Sequence, residues 1–142
     1  MRRLSISLVI LVLTAGMAFA AGPWQDGTYT AEADGYNNGW KPFVQITVIG
    51  GYIADAHFDN YPEEGDKTKY VASVQGEYGM VENSDAQWPW WEQADRAAAH
   101  LVETQNPAQA ARQESADGVS GVSVTVNYFY ELAHEALRDA RR

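Results

Sequence analysis

The sequence predicts an α+β domain in which a small antiparallel sheet packs against a central helix and a C-terminal helix. Three observations carry this. Apolar and polar residues alternate on both sides of Gly50-Gly51. Apolar residues recur at spacings of three and four between Trp88 and Thr104, and again between Thr125 and Arg141.

The elements follow in order. Arg2 and Arg3, an apolar run from Leu8 to Leu13 and the small-x-small end Ala18-Phe19-Ala20 read as a secretory signal peptide over residues 1–20. The two arginines fit the start of an ordinary signal, and the apolar run is too short to span a bilayer comfortably. One domain, residues 21–142, is then exported to a periplasmic or extracellular location, and no cysteine follows the apolar run to carry a lipid. Gly27 to Ala33 sets Tyr29, Ala31 and Ala33 against Thr28, Thr30 and Glu32, a short strand. Asp34 to Gly39 is turn chemistry. From Phe43, the alternation of Val44, Ile46 and Val48 with Gln45 and Thr47 predicts a half-buried strand. Gly50-Gly51 suits a two-residue hairpin turn because both positions need positive φ. The return strand, Tyr52 to Phe58, puts Tyr52, Ala54, Ala56 and Phe58 on one face and Ile53, Asp55 and His57 on the other.

Asp59 to Lys69 is expected as a charged loop, and Tyr70 to Val81 as a short helix or an ordered connection. Trp88 to Thr104 is helical, with Pro89 in its first turn and Trp90, Ala94, Ala97, Ala98 and Leu101 on one face. Asn106-Pro107 stops it, and Ala108 to Arg112 adds a short helical turn. The last helix, from about Thr125 to Arg141, carries Val126, Phe129, Tyr130, Ala133, Leu137 and Ala140 on one face.

Charge narrows the function classes. Without Arg2 and Arg3 the ten basic residues fall to eight, against 19 acidic ones, a net charge of −11. Such a surface repels nucleic acid and anionic lipid. The absence of cysteine removes disulfides, thiolate metal sites and thiol redox chemistry, so any redox function needs a bound cofactor. His57, His100 and His134 stand at no metal-ligand spacing, and His57 shares a strand face with Asp55 and Asp59. Gly121-Val122-Ser123 lacks the second glycine of a nucleophile elbow, and Glu63-Glu64-Gly65-Asp66 lacks calcium-loop spacing. Five tryptophans and eight tyrosines are a heavy load; Trp88-Pro89-Trp90-Trp91 suits either core filling or stacking on a sugar or a flat heteroaromatic ring.

One stretch, Asp117 to Thr125 (DGVSGVSVT), reads two ways. Val122, Val124 and Val126 alternate with hydroxyl and amide residues, as in a strand. Ser120-Gly121 breaks that alternation and a helix follows, and a Gly- and hydroxyl-rich loop entering a helix offers free N–H groups to an anion. Ser123 or Thr125 then serves as an ordinary N-cap or as a phosphate contact.

DGVSGVSVT resembles the D-x-x-[ST]-G-A-T-x-[ST] motif of exported FMN-binding domains, found in the flavin-carrying subunits of the sodium-pumping quinone reductase and the Rnf complex. The chain is most similar to the small stand-alone secreted or lipoprotein members. DGTYTAEADGY, GWKPFVQITVIGGYIADAHFD, the Gly-Asp-Lys-Thr-Lys loop, Tyr78-Gly79-Met80, the central helix and the final motif with its helix stand in the family's order. The resemblance implies an FMN-binding electron carrier. It implies a phosphoester between FMN and the acceptor hydroxyl, here Ser123, installed by a magnesium-dependent flavin transferase that uses FAD. Asp117 and Ser120 stand at the motif's acidic and hydroxyl positions, Gly121 at its glycine and Val122 at its alanine. Thr125 adds a further hydroxyl, and Trp40, Tyr78, Met80 and Trp90 are the candidate contacts to the flavin ring. The implied partners are the transferase and a redox partner at the membrane. A different class also accommodates the aromatic content: a secreted, non-redox module that binds a carbohydrate or a protein.

Overall fold

A computed structural model describes residues 21–84, 86–112 and 127–141. The expected signal peptide lies outside them. Eight elements follow in order: β1 (Gly27–Glu32), β2 (Trp40–Ile49), β3 (Tyr52–Pro62), α1 (Lys69–Val74), α2 (Met80–Asn83), α3 (Trp90–Thr104), α4 (Pro107–Arg112) and α5 (Asn127–Arg138). The strands form one antiparallel sheet in the order β1-β2-β3. Helix α3 packs on β3, α5 packs on β2 and β1, and α1 packs on α3 and β3, so the fold is α+β as the sequence predicts.

Both hairpin turns are local chemistry. Asn38 and Gly39 hold φ of 50° and 81°, and Asn37 and Trp40 exchange backbone hydrogen bonds of 2.8 and 3.1 Å across them. Gly50 and Gly51 hold φ of 64° and 80°. This is the geometry that matches strand twist and that Asn and Gly tolerate. Gly51 has a second reason to be glycine: a Cβ there would stand 2.5 Å from the Gly22 backbone nitrogen.

Along β2, Val44, Ile46 and Val48 are buried as the alternation requires. Strand β3 departs from the expected pattern. Thr47 pairs with Asp55 but Val48 pairs with Ile53, leaving Ala54 as an extra residue. One extra residue in a strand of period two reverses which face the side chains take. Ile53, expected beside Asp55 and His57 on the outer face, is therefore buried with Ala56 and Phe58, while Tyr52 and Ala54 are exposed. The Gln105 side chain closes the bulge, accepting the Ile53 N–H at 2.8 Å and donating to the Ile53 carbonyl at 2.8 Å. Gln105 also ends α3, in the left-handed region at φ 58°.

The core joins these layers. Phe58 stacks on Phe129 of α5 at 4.9 Å and meets Tyr130 edge-on at 5.9 Å. The Tyr130 hydroxyl donates to the Ala97 carbonyl of α3 at 3.1 Å, which satisfies its one buried polar group. Trp90, Ala94, Ala97, Ala98 and Leu101 form the expected buried stripe of α3. Pro89 sits before that helix as its N-cap, in an extended conformation, and Trp88 lies outside it. Asn106 caps α4 by accepting from the Ala108 and Gln109 amides, with Pro107 at the first helical position. Helix α5 ends at Arg138, short of the expected Arg141. Ala140 and Arg141 instead pair with Gln25 and Trp24, so backbone bonds to the N-terminal segment replace the last turn. Among the described residues no helix is long and apolar enough to cross a membrane.

Candidate functional site

The segment expected as a charged loop from Asp59 to Lys69 divides differently. Strand β3 continues through Pro62 and α1 begins at Lys69. Asp59 is buried because its carboxylate does structural work: Oδ1 accepts the Asn60 amide at 2.6 Å and the Tyr70 amide at 2.8 Å, tying the start of α1 to the strand. Thr68 caps α1 by accepting the Val71 amide at 3.4 Å. At the other end the Gly76 amide reaches the Ser73 carbonyl and the Glu77 amide reaches the Ala72 carbonyl, with Gly76 at φ 75°. This is a Schellman closure, and it turns the chain back so that Tyr78 bonds Ala72 and returns to the side of Lys69.

The result is an aromatic cleft of about 400 Å³ lined by Asn37, Asn38, Trp40, Asn60, Lys69 and Tyr78. The Lys69 ammonium lies 4.6 Å from the centre of the Tyr78 ring, 5.2 Å from Trp90 and 5.6 Å from Trp40. Trp40 and Tyr78 meet edge to face at 6.1 Å. Trp90 is 3 % exposed, so it forms the floor under Lys69 rather than an open wall. It continues into the core through Phe129, 6.2 Å away. Met80 packs on the core and its sulfur accepts from Gln93 Nε2 at 3.4 Å. The same fully buried amide donates to the Trp88 carbonyl at 2.7 Å, which holds the segment before α3 in place.

Three of the four expected ring contacts, Trp40, Tyr78 and Trp90, thus meet at one ammonium, but only Trp40 and Tyr78 line the cleft; Trp90 is buried beneath Lys69 and Met80 also lies outside the lining. Asp117, Ser120, Gly121, Val122, Ser123 and Thr125 fall outside the described residues. Sequence reasoning passes over Lys69, Asn60 and Gln93. Thr68 as N-cap and Gly76 as helix terminator were the available signals for α1, and they place Lys69 at its first position.

A titratable cluster flanks α1. His57 Nε2 stands 3.6 Å from Asp59 Oδ2, and its ring lies 5.3 Å from Tyr70. The Asp59 carboxylate beside it raises the His57 pKa above its ordinary value, against the opposing effect of burial. The Tyr70 hydroxyl donates to Asp95 at 2.9 Å; burial first, then that bond, pushes it up to about 12.

The chain matches no known protein-family model. It is 29 % identical to a 15 kDa lipoprotein of Treponema pallidum, over 99 % of this chain and 92 % of that protein. A structural-genomics protein from Clostridium thermocellum, solved by NMR in solution, is 37 % identical with a TM-score of 0.57, over 80 % of this chain and 90 % of the other. A crystal structure of a Clostridium perfringens protein is 23 % identical with a TM-score of 0.64, covering 82 % of this chain and 88 % of the other, a likeness of fold.

Proposed function

We propose that this chain, which belongs to the same family as the Clostridium thermocellum protein, is an exported FMN-binding protein that relays electrons. The observation that carries this reading is the convergence of Trp40, Tyr78 and Trp90 on Lys69 beside three asparagine amides. The Trp40 and Tyr78 rings that line the cleft fit an isoalloxazine, with Trp90 buried beneath Lys69; asparagine amides pair with its carbonyl and imide edge, and a cation suits an electron-accepting ring. Bound FMN supplies the redox chemistry; the chain supplies position and electrostatics.

The phosphate end belongs to the DGVSGVSVT stretch. Gly121 and Val122 offer backbone N–H groups, Ser120 and Thr125 add hydroxyls, and Asp117 is the motif's acidic position. The Ser123 hydroxyl takes the FMN group from FAD in a reaction run by a flavin transferase, forming one phosphoester as AMP leaves. Five residues, and so at most about 22 Å of extended chain, separate Ser123 from Phe129, whose ring packs 6.2 Å from Trp90. That reach suits one ligand held at both ends.

Export is supported by the basic, apolar, small-residue order of residues 1–20 and by similarity to a lipoprotein. These 142 residues hold no thiol to carry a lipid, so the proposed location is periplasmic or extracellular, with an electron partner at the membrane. Coexpression with a flavin transferase should give a yellow protein whose intact mass includes FMN, and Ser123→Ala should abolish the addition. An unmodified mass, together with no quenching of flavin fluorescence when FMN is titrated, would overturn the reading.

A second reading rests on a separate surface. Tyr61 stacks on Phe43 at 4.1 Å, and with Tyr36 it flanks Lys41 at 5.7 and 5.8 Å. Tyr36 and Tyr61 are exposed, which suits a secreted non-redox module binding a carbohydrate or a protein. That alternative predicts a colourless protein.

A further inference from the structure

Lys69 differs from the other lysines near it. Lys41 pairs with Glu32 at 2.8 Å and Lys67 with Glu77 at 2.5 Å. Among the described residues Lys69 makes no ion pair, although the chain carries 19 acidic side chains. Its ammonium is held instead by three rings. Aromatic faces orient a cation without neutralising it, so the charge stays available to a ligand in the cleft. That availability answers a difficulty created by composition, because a strongly acidic protein opposes any further negative charge placed on it.

We infer that Lys69 is the charge-pairing residue of the cleft and makes it bind the reduced, anionic isoalloxazine more tightly than the neutral oxidised ring. The inference rests on the flavin reading above. Two electrons and one proton convert the neutral ring to the reduced anion, which carries one negative charge. Lys69 transfers neither; it pairs with the charge that results. The asparagines, being neutral, contribute the same hydrogen-bonding groups to both states, so Lys69 alone among the lining side chains discriminates between them by charge.

The test uses the exported chain made without a transferase, so that free FMN and riboflavin bind reversibly. Affinity for the oxidised flavins is read from fluorescence quenching. The midpoint potential of bound FMN is read anaerobically against a reference dye, with dithionite as reductant. Lys69→Gln should weaken binding of reduced FMN about tenfold more than that of oxidised FMN, which lowers the midpoint potential by about 30 mV for a two-electron couple. Lys69→Arg should keep the wild-type potential, and circular dichroism should show both variants folded. Equal weakening of both redox states would overturn the inference, and so would an unchanged potential in Lys69→Gln. Loss of FMN affinity with riboflavin unaffected would assign Lys69 to the phosphate and overturn it as well. If the wild-type chain binds neither flavin, the flavin reading itself fails and this inference fails with it.

Discussion

Gln105 is predicted to hold the bulged hairpin onto α3, and three substitutions separate the two ways it does so. Its amide makes two 2.8 Å hydrogen bonds to the Ile53 backbone and a third of 2.6 Å to the Val102 carbonyl. Gln105→Ala removes all three while leaving the backbone at φ 58°. At about 1 kcal/mol net per bond, with part of the local Val102 bond recovered from water, the cost should be about 2–3 kcal/mol. Gln105→Gly loses the same bonds but relieves the left-handed strain, worth about 1 kcal/mol, and should cost about 1–2 kcal/mol. Gln105→Asn tolerates the backbone conformation but is one methylene too short to reach Ile53, so it should resemble Gly more than wild type. Urea unfolding followed by circular dichroism reads the midpoints, and unchanged slopes confirm that only stability has moved. The reasoning is refuted if Gln105→Ala stays within about 0.5 kcal/mol of wild type, the range of an ordinary surface change. It is also refuted if the alanine variant equals or exceeds the glycine variant in stability.

The remaining predictions concern the core and the titratable cluster. Phe58→Ala empties a site packed by Phe129 and Tyr130 and should cost about 3–5 kcal/mol by chemical denaturation, whereas a loss under about 1 kcal/mol would mean that the two layers do not share this core. His57 has a folded-state pKa above 6.5, so its protonated form stabilises the fold. That contribution is fully present below 6.5 and fades as pH rises through the folded value. The groups facing it are Asp59, Asp95 and Asp55, with the Tyr70 and Phe43 rings alongside. With the imidazole partly exposed the effect should stay below about 1 kcal/mol, seen as a stability gap between wild type and His57→Gln that is wider near about pH 5.5 than near about pH 8.5. Asp59→Asn should return the His57 titration, followed by NMR, toward its ordinary range.

What the sequence determined by itself was whatever depends on neighbours a few residues apart. Alternation over Val44 to Val48, glycine at both positions of the β2-β3 turn and the three-and-four spacing of α3 each follow from local backbone geometry, and together they settle the α+β class. Tertiary structure decided the rest. An extra residue at Ala54 leaves no local trace, because the alternation of Tyr52 to Phe58 looks regular until Ile53 is paired with Val48. The bulge is held by Gln105, 52 residues away. Burial of Asp59 likewise depends on the Tyr70 amide, which arrives only when α1 docks on β3. Lys69 reads in the chain as one more charge in an acidic loop. It becomes a cation among rings because Trp40, Tyr78 and Trp90 reach it from a strand, a connection and a helix. Their convergence is a property of packing, and packing is what periodicity in one dimension does not contain.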